Sequence, residues 1–180
     1  MKKFKYEIKQ DIDNPFNNNP RDDDNFAHFA FSHRRYDLGD DDQKFDHRQY
    51  NGWNEVEKML KNERDAYLII RVSMTDHSNI YIYPGGPRDP WDSGQIGFAF
   101  VTADEIEKEY GDISSESIKK AEDLISIEIA EYNQYLNGEF YYAQIYDEDD
   151  NLVDTCDGFD SEESALEWVK EIVGNDGEEK

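Results

Sequence analysis

Residues 90–101 read Pro-Trp-Asp-Ser-Gly-Gln-Ile-Gly-Phe-Ala-Phe-Val, and along them the chain passes from polar loop to apolar core. Gly94 and Gly97 flank the change, and the run from Ile96 to Val101 predicts a buried strand ended by a helix start. Asp92, Ser93 and Gln95 therefore stand at a strand mouth, where side chains are both held and wet. The plain role for Asp92 and Ser93 at such a place is to close the turn through hydrogen bonds to the backbone.

Downstream, Thr102 and Glu105 have the spacing of a capping box, Val101 and Ile106 that of a hydrophobic staple, and Gly111 is a stop. A second helix is predicted from Ser114, with Ile118, Ala121, Ile125, Ile129, Tyr132 and Leu136 along one face and Glu116, Glu122, Asp123, Glu128 and Glu131 along the other. Residues 140–146 and 152–156 flank Asp147-Glu148-Asp149-Asp150-Asn151, which predicts a β-hairpin with an acidic tip. Asp160 with Glu163 is placed to cap a last amphipathic helix carrying Leu166, Val169, Ile172 and Val173.

Upstream, Phe4, Tyr6 and Ile8 alternate with Lys3, Lys5, Glu7 and Lys9 in the two-residue period of a half-buried strand. Residues 11–25 are polar and interrupted by Pro15 and Pro20, which predicts a long mobile loop. Residues 26–32 predict a strand that delivers His33, Arg34, Arg35 and Tyr36 to a turn rich in Asp, where a salt-bridge cluster with Asp37, Asp40, Asp41 and Asp42 is expected. Trp53, Val56, Met59 and Leu60 recur at helical spacing, residues 67–72 predict a central strand, residues 75–79 a polar turn and residues 80–83 a short strand. The expectation is an α+β fold, a mainly antiparallel sheet packed by three or four helices and closed by a helix–hairpin–helix. Its extent is one domain over residues 1–174, with a frayed acidic tail at 175–180.

The 180 residues carry a net charge of -24, and residues 121–180 hold 19 acids against 2 bases. A field so uneven disfavours nucleic acid and membrane surfaces as direct partners and favours a basic protein, with association that weakens as salt rises. Cys156 is the only cysteine, so no intrachain disulfide forms, and its neighbours Asp154 and Asp157 work against a thiolate. With no signal peptide and no apolar run near twenty residues, a cytoplasmic setting is expected.

The chemical motifs are sparse. His33, His47 and His77 lie near Asp37, Asp40, Asp76 and Asp92 in sequence, but neither a His-Glu-x-x-His helix nor paired Cys occurs, so no metal or other cofactor is expected. Asp147, Asp149 and Asn151 imitate the opening of a calcium loop, yet Leu152 stands where Gly is needed and Gly158 where Glu is needed. Ser93 lacks the Gly-x-Ser-x-Gly elbow, since Trp91 precedes it by two, and Gly85-Gly86 has no following Lys-Ser or Lys-Thr of a phosphate loop.

Four segments, His33-Arg34-Arg35-Tyr36-Asp37-Leu38-Gly39-Asp40, the stretch 90–98, Tyr132-Asn133-Gln134-Tyr135-Leu136-Asn137-Gly138-Glu139 and Val153-Asp154-Thr155-Cys156-Asp157-Gly158-Phe159, together resemble a family of small uncharacterised proteins of bacteriophages and other mobile elements. The resemblance spans residues 25–160 and implies a host setting without a mechanism. Asp157 departs from the pattern, where an aromatic residue is commoner, and adds one more acid.

Charge and setting together lead to the expectation of a non-enzymatic counter-defence protein. It would inhibit a basic, nucleic-acid-binding host defence enzyme of a restriction, CRISPR or related system by presenting a DNA-like acidic surface. The residues of that surface are Glu122, Asp123, Glu128, Glu131, Asp147, Glu148, Asp149, Asp150, Asp157, Asp160, Glu162, Glu163, Glu167 and Glu171. The alternative is a small enzyme or ligand-binding domain with a polar site at His33, Arg34, Arg35, Asp76, His77, Asp92, Ser93 and Gln95. That alternative requires three separate turns to meet around one pocket.

Overall fold

The structure, a computed structural model, describes residues 4–10, 19–77, 79–174 and 177–179. Its elements in chain order are β1 (Lys5–Gln10), β2 (His28–Phe31), α1 (Trp53–Glu63), β3 (Ala66–His77), β4 (Asn79–Pro84), β5 (Ser93–Thr102), α2 (Ala103–Tyr110), α3 (Ser115–Leu136), β6 (Tyr141–Tyr146), β7 (Leu152–Phe159), α4 (Glu162–Val173) and β8 (Glu178–Glu179). The fold is α+β, with two four-stranded sheets in place of the one that the sequence suggests. The chain divides into two compact units, one of residues 20–133 and the other of residues 1–19 with 134–180.

In the larger unit the strand order is β2-β5-β3-β4, all antiparallel. The apolar run of the opening stretch becomes β5, the strand second from the edge, and Ile96 to Val101 are all buried or nearly so. Gly97 is needed there because β2 passes so close that a Cβ would lie 2.0 Å from the Ala30 carbonyl oxygen. Alternation along β2 sends Ala30 and Phe29 to opposite faces. Ala30, Phe98 and Phe100 pack on Val56, Met59 and Leu60 of α1, while Phe29 meets Tyr132 of α3 on the other side. Each fully buried side chain of this kind contributes roughly 1.5–3 kcal/mol.

The capping box on α2 forms as the sequence predicts: Thr102 Oγ1 accepts from the Glu105 N–H, and Glu105 accepts from the Thr102 N–H. Gly111 ends the helix in the left-handed conformation. Thr75, Asp76 and His77, predicted as turn, are instead the last rungs of β3, because Asp76 pairs with Ile80 and His77 with Asn79 in a tighter hairpin. The predicted loop 11–25 lies outside the described residues over 11–18. Its remainder is pinned, since a short 3-10 turn at Pro20–Asp22 buries Arg21.

The smaller unit has the order β7-β6-β1-β8, with the β6–β7 hairpin antiparallel as predicted and β8 parallel to β1. Ala165 and Val169 of α4 cover Ala143 and Ile145, with Phe4, Tyr6, Ile8, Phe159 and Trp168 around them. The helix is capped by Ser161, not Asp160; Ser161 Oγ accepts from the Ser164 N–H and Asp160 supports both serine hydroxyls. Of the predicted core face of α4, Val169 and Val173 pack inward, joined by Ala165 and Trp168, while Ile172 is about half exposed. Of the tail predicted as frayed, residues 175, 176 and 180 lie outside the described residues, and Glu178 donates its N–H to the Phe4 carbonyl. Among the described residues, no helix is long and apolar enough to cross a membrane.

Candidate binding site

Three strands of the larger unit stop at the same end. Phe31, the last residue of β2, pairs with Gly97; Ser32 adds one more rung by donating its N–H to the Ile96 carbonyl; and the Asp76 N–H reaches the Asp92 carbonyl at 3.1 Å. The turn after β2, the turn before β5 and the end of β3 are therefore forced into one neighbourhood. There an open cavity of about 950 Å³ is walled by His33, Arg34, Arg35, Asp76, Asp92, Ser93 and Gln95, joined by Ser32, Asp46, His47, Arg48, Trp53 and Trp91. His77 stands beside it, 3.5 Å from the Asp92 carboxylate.

The predicted cluster between the post-β2 bases and the Asp-rich turn does not form. Arg35 pairs instead with Asp76, whose carboxylate also accepts from the Tyr36 hydroxyl at 3.2 Å. Asp40 pairs with the buried Arg21, and Asp37 with Lys44. The reason is that strand β3 presents Asp76 at the ladder end while the Asp-rich turn folds back under β2. There Asp40 accepts from the Phe29 N–H and Gly39 donates to the Tyr132 hydroxyl. Arg34 is exposed and makes no ion pair among the described residues.

His33 stacks on Tyr36 at 5.1 Å, and burial, followed by the Arg35 guanidinium, holds its imidazole below the ordinary value, so the ring is neutral at pH 7. Also on the cavity wall, Asp46 accepts from Arg48 through both oxygens at 2.9 Å, and that contact above all holds the Asp46 carboxyl low. Ser32 Oγ lies 2.9 Å from His47 Nδ1, and the His47 ring stacks on Trp53 at 5.7 Å. This serine and histidine have the spacing of a nucleophile and its base, but among the described residues no carboxylate orients the other ring nitrogen. Ser93 is not poised for attack: its hydroxyl donates to the Asp89 carbonyl and accepts from the Asp89 N–H. Asp89 also accepts from the Trp91 and Asp92 N–H groups, so the turn is closed by Asp89 and Ser93, and Asp92 is left half exposed to the cavity.

His47 entered the sequence reading only as a metal candidate, and Ser32, Asp46, Arg48, Trp53 and Trp91 did not enter it as site residues. The local signal for some of them was present, since Asp46 caps the short turn that aims His47 and Arg48. Among the described residues no three His, Cys, Asp or Glu side chains gather as a metal site.

The fourteen acidic-surface residues divide between the units. Glu128 is not on the surface at all. It is 7% exposed, 2.9 Å from Arg21 and accepts from the Phe26 N–H, because α3 turns it onto the segment that enters β2. Asp123 is exposed and paired with Lys119, Glu131 is exposed and Glu122 half-buried. In the smaller unit, Asp147 accepts from the Asn151 side-chain amide and then from the Asn151 and Asp149 N–H groups; these bonds close the hairpin tip and hold its carboxyl low. Glu148, Asp149, Asp150, Asp157, Asp160, Glu162, Glu163, Glu167 and Glu171 are exposed there. Asp150 meets Lys5 at 2.9 Å. Because β1 inserts its lysines beside the hairpin, the smaller unit carries 18 acids against 6 bases and the larger 25 against 13, a net of -12 in each. Burial, then Asp157 and Asp154, push the Cys156 thiol up, which leaves it an unreactive side chain at neutral pH.

Comparison of the chain with protein-family models, with curated proteins and with solved structures returns no match.

Proposed function

We propose that the protein is a ligand-binding module whose working site is the cavity at the ladder end of β2, β5 and β3, and that it takes a small anionic ligand there without chemistry of its own. The observation that carries this reading is convergence: the turn after β2, the turn before β5 and the end of β3, which the sequence offered as an alternative polar site, line one cavity, with His77 beside it. Its volume lies in the range of small-molecule clefts. The unpaired guanidinium of Arg34 supplies the charge, and the Arg35–Asp76 and Arg48–Asp46 pairs hold the walls. Two of the four segments that carry the phage-protein resemblance contribute to those walls. The test is a thermal-shift and calorimetric screen of small phosphorylated and carboxylated anions against the full chain and its Arg34→Glu variant. A ligand that raises the Tm of the wild type and not of the variant is the expected result; identical responses across the whole screen would sink the reading.

A second reading, the counter-defence protein with a DNA-like surface, is favoured by a different observation. Asp149, Asp157, Asp160, Glu162, Glu163, Glu167 and Glu171 are exposed in one unit and make no ion pair among the described residues. Carboxylates left in water at this density suit the basic groove of a nuclease of a phage-infected host, and such binding competes with DNA and weakens with salt. The check is competition: the protein should displace duplex DNA from a restriction or CRISPR nuclease at low salt and lose that ability at high salt. Failure to compete with DNA on a panel of such enzymes removes it.

A further inference from the structure

Resting on the cavity reading, we infer that the ligand is a free nucleotide, its phosphate held by Arg34 and its base stacked on Trp91. Two features of the cavity wall are unexplained by packing. Trp91 is 90% exposed, the most exposed of the large apolar side chains, on a turn that Asp89 and Ser93 fix by four hydrogen bonds. An indole carried in water on a fixed turn beside a polar cavity is a stacking platform, since every nucleobase has a π-face and stacking on an aromatic side chain contributes about 1–3 kcal/mol. Arg34 is the second feature. The other two arginines of the wall are engaged by Asp76 and Asp46, so Arg34 alone has its fork of donors open to an anion.

The rest of the wall has the polarity a base edge requires. Gln95 uses one amide N–H on the Gly97 carbonyl at 3.3 Å and keeps its oxygen as an acceptor. The Asp92 carboxylate accepts, and the Ser32–His47 pair offers a hydroxyl and a ring nitrogen. A planar ring with both donors and acceptors, joined to a dianionic group, answers all of these at once. A simple phosphate leaves Trp91 idle, and an aromatic acid leaves the polar wall unanswered.

Net charge selects the free nucleotide over a strand. At physiological salt, fields are screened over about 8 Å, so a single phosphate at Arg34 senses chiefly that guanidinium. A strand lays further phosphates along a unit of net charge -12, where the other two arginines of the wall are already engaged.

The experiment titrates the full chain with 5′-AMP, 5′-GMP, 5′-CMP and 5′-UMP, with the matching nucleosides, with inorganic phosphate, with benzoate and with an eight-nucleotide single strand. Tryptophan fluorescence and calorimetry are the readouts. At least one nucleotide binds and quenches fluorescence. Trp91→Ala abolishes the quench and weakens the nucleotide and its nucleoside alike by about tenfold. Arg34→Gln weakens the nucleotide by about tenfold and leaves the nucleoside unchanged. Both side chains are exposed, and unchanged melting curves verify that each variant folds. Binding of benzoate or phosphate in place of any nucleotide, lost in Arg34→Gln, overturns the nucleotide and leaves the cavity reading standing. Tighter binding of the single strand than of every nucleotide overturns the inference as well. If no probe binds at all, the nucleotide falls and the cavity reading loses its anion.

Discussion

In the larger unit, a buried node and the cavity wall hold charged side chains against each other. Arg21, its side chain 2% exposed, lies 2.7 Å from Asp40 and 2.9 Å from Glu128, with the Phe29 ring 3.7 Å beneath its guanidinium. Arg35 and Arg48 are held against carboxylates around the cavity. In the smaller unit, most carboxylates of the hairpin tip, β7 and α4 stand in water, and among the described residues Lys5 pairs with Asp150. The same residue types thus serve architecture in one unit and surface field in the other. At Arg21 burial makes the difference, because a charge removed from water must be paired and an exposed one need not be.

The largest expected effect comes from breaking the buried node. Arg21→Ala leaves Glu128 and Asp40 facing each other without a cation, and should cost about 3–5 kcal/mol in urea unfolding. A loss under 1 kcal/mol would erase the contrast between the units. Next, Gly97→Ala forces β2 away from β5, since the added carbon meets the Ala30 carbonyl. A loss of roughly 1–3 kcal/mol is expected, as for an overpacked core. Neutralising Asp149, Asp157, Glu163 and Glu171 to their amides should change stability by less than about 0.5 kcal/mol each. The same four changes should slow association with a cationic protein at low salt, measured by stopped flow.

The smallest effect is a matter of acid. Ser117 Oγ, followed by the Ser114 N–H, donates to Asp112 ahead of α3 and holds its carboxyl down to about 2 from an ordinary 3.8. A depressed carboxyl stabilises the fold above the unfolded value and loses that contribution as pH falls toward the folded one. Asp112→Asn should therefore flatten the stability profile between pH 3.8 and about 2, its loss being full above pH 3.8, pH 7 included, and vanishing as pH falls toward 2. An unchanged acid profile would show that this exposed cap adds nothing.

Much of the architecture was legible because its rules act over a few residues. Alternation at Phe4, Tyr6 and Ile8 reported β1, Thr102 with Glu105 reported the start of α2, and the acidic tip reported the β6–β7 hairpin. The site was legible in half. His33, Arg34, Arg35, Asp92, Ser93 and Gln95 were marked by their places at strand ends, whereas Ser32, His47, Arg48 and Trp91 acquire meaning only from the groups that stand opposite them. Glu128 was misread for the same reason: on the helix pattern it falls among the polar positions, and only the return of Arg21 to α3 takes it out of water.

Sequence alone determined the α+β class, most of the strands and helices, the acidity and the absence of an internal disulfide, since each depends on composition or on neighbours within a turn. Tertiary structure alone decided which charges meet. Arg21 finds Glu128 across 107 positions and Lys5 finds Asp150 across 145, so a charge tally by thirds of the chain did not describe either unit. It also decided that two separate turns and the end of β3 share one cavity, because the ladder between β2, β5 and β3 sets where those segments end, and strand register is fixed by pairing across the sheet rather than by any local signal.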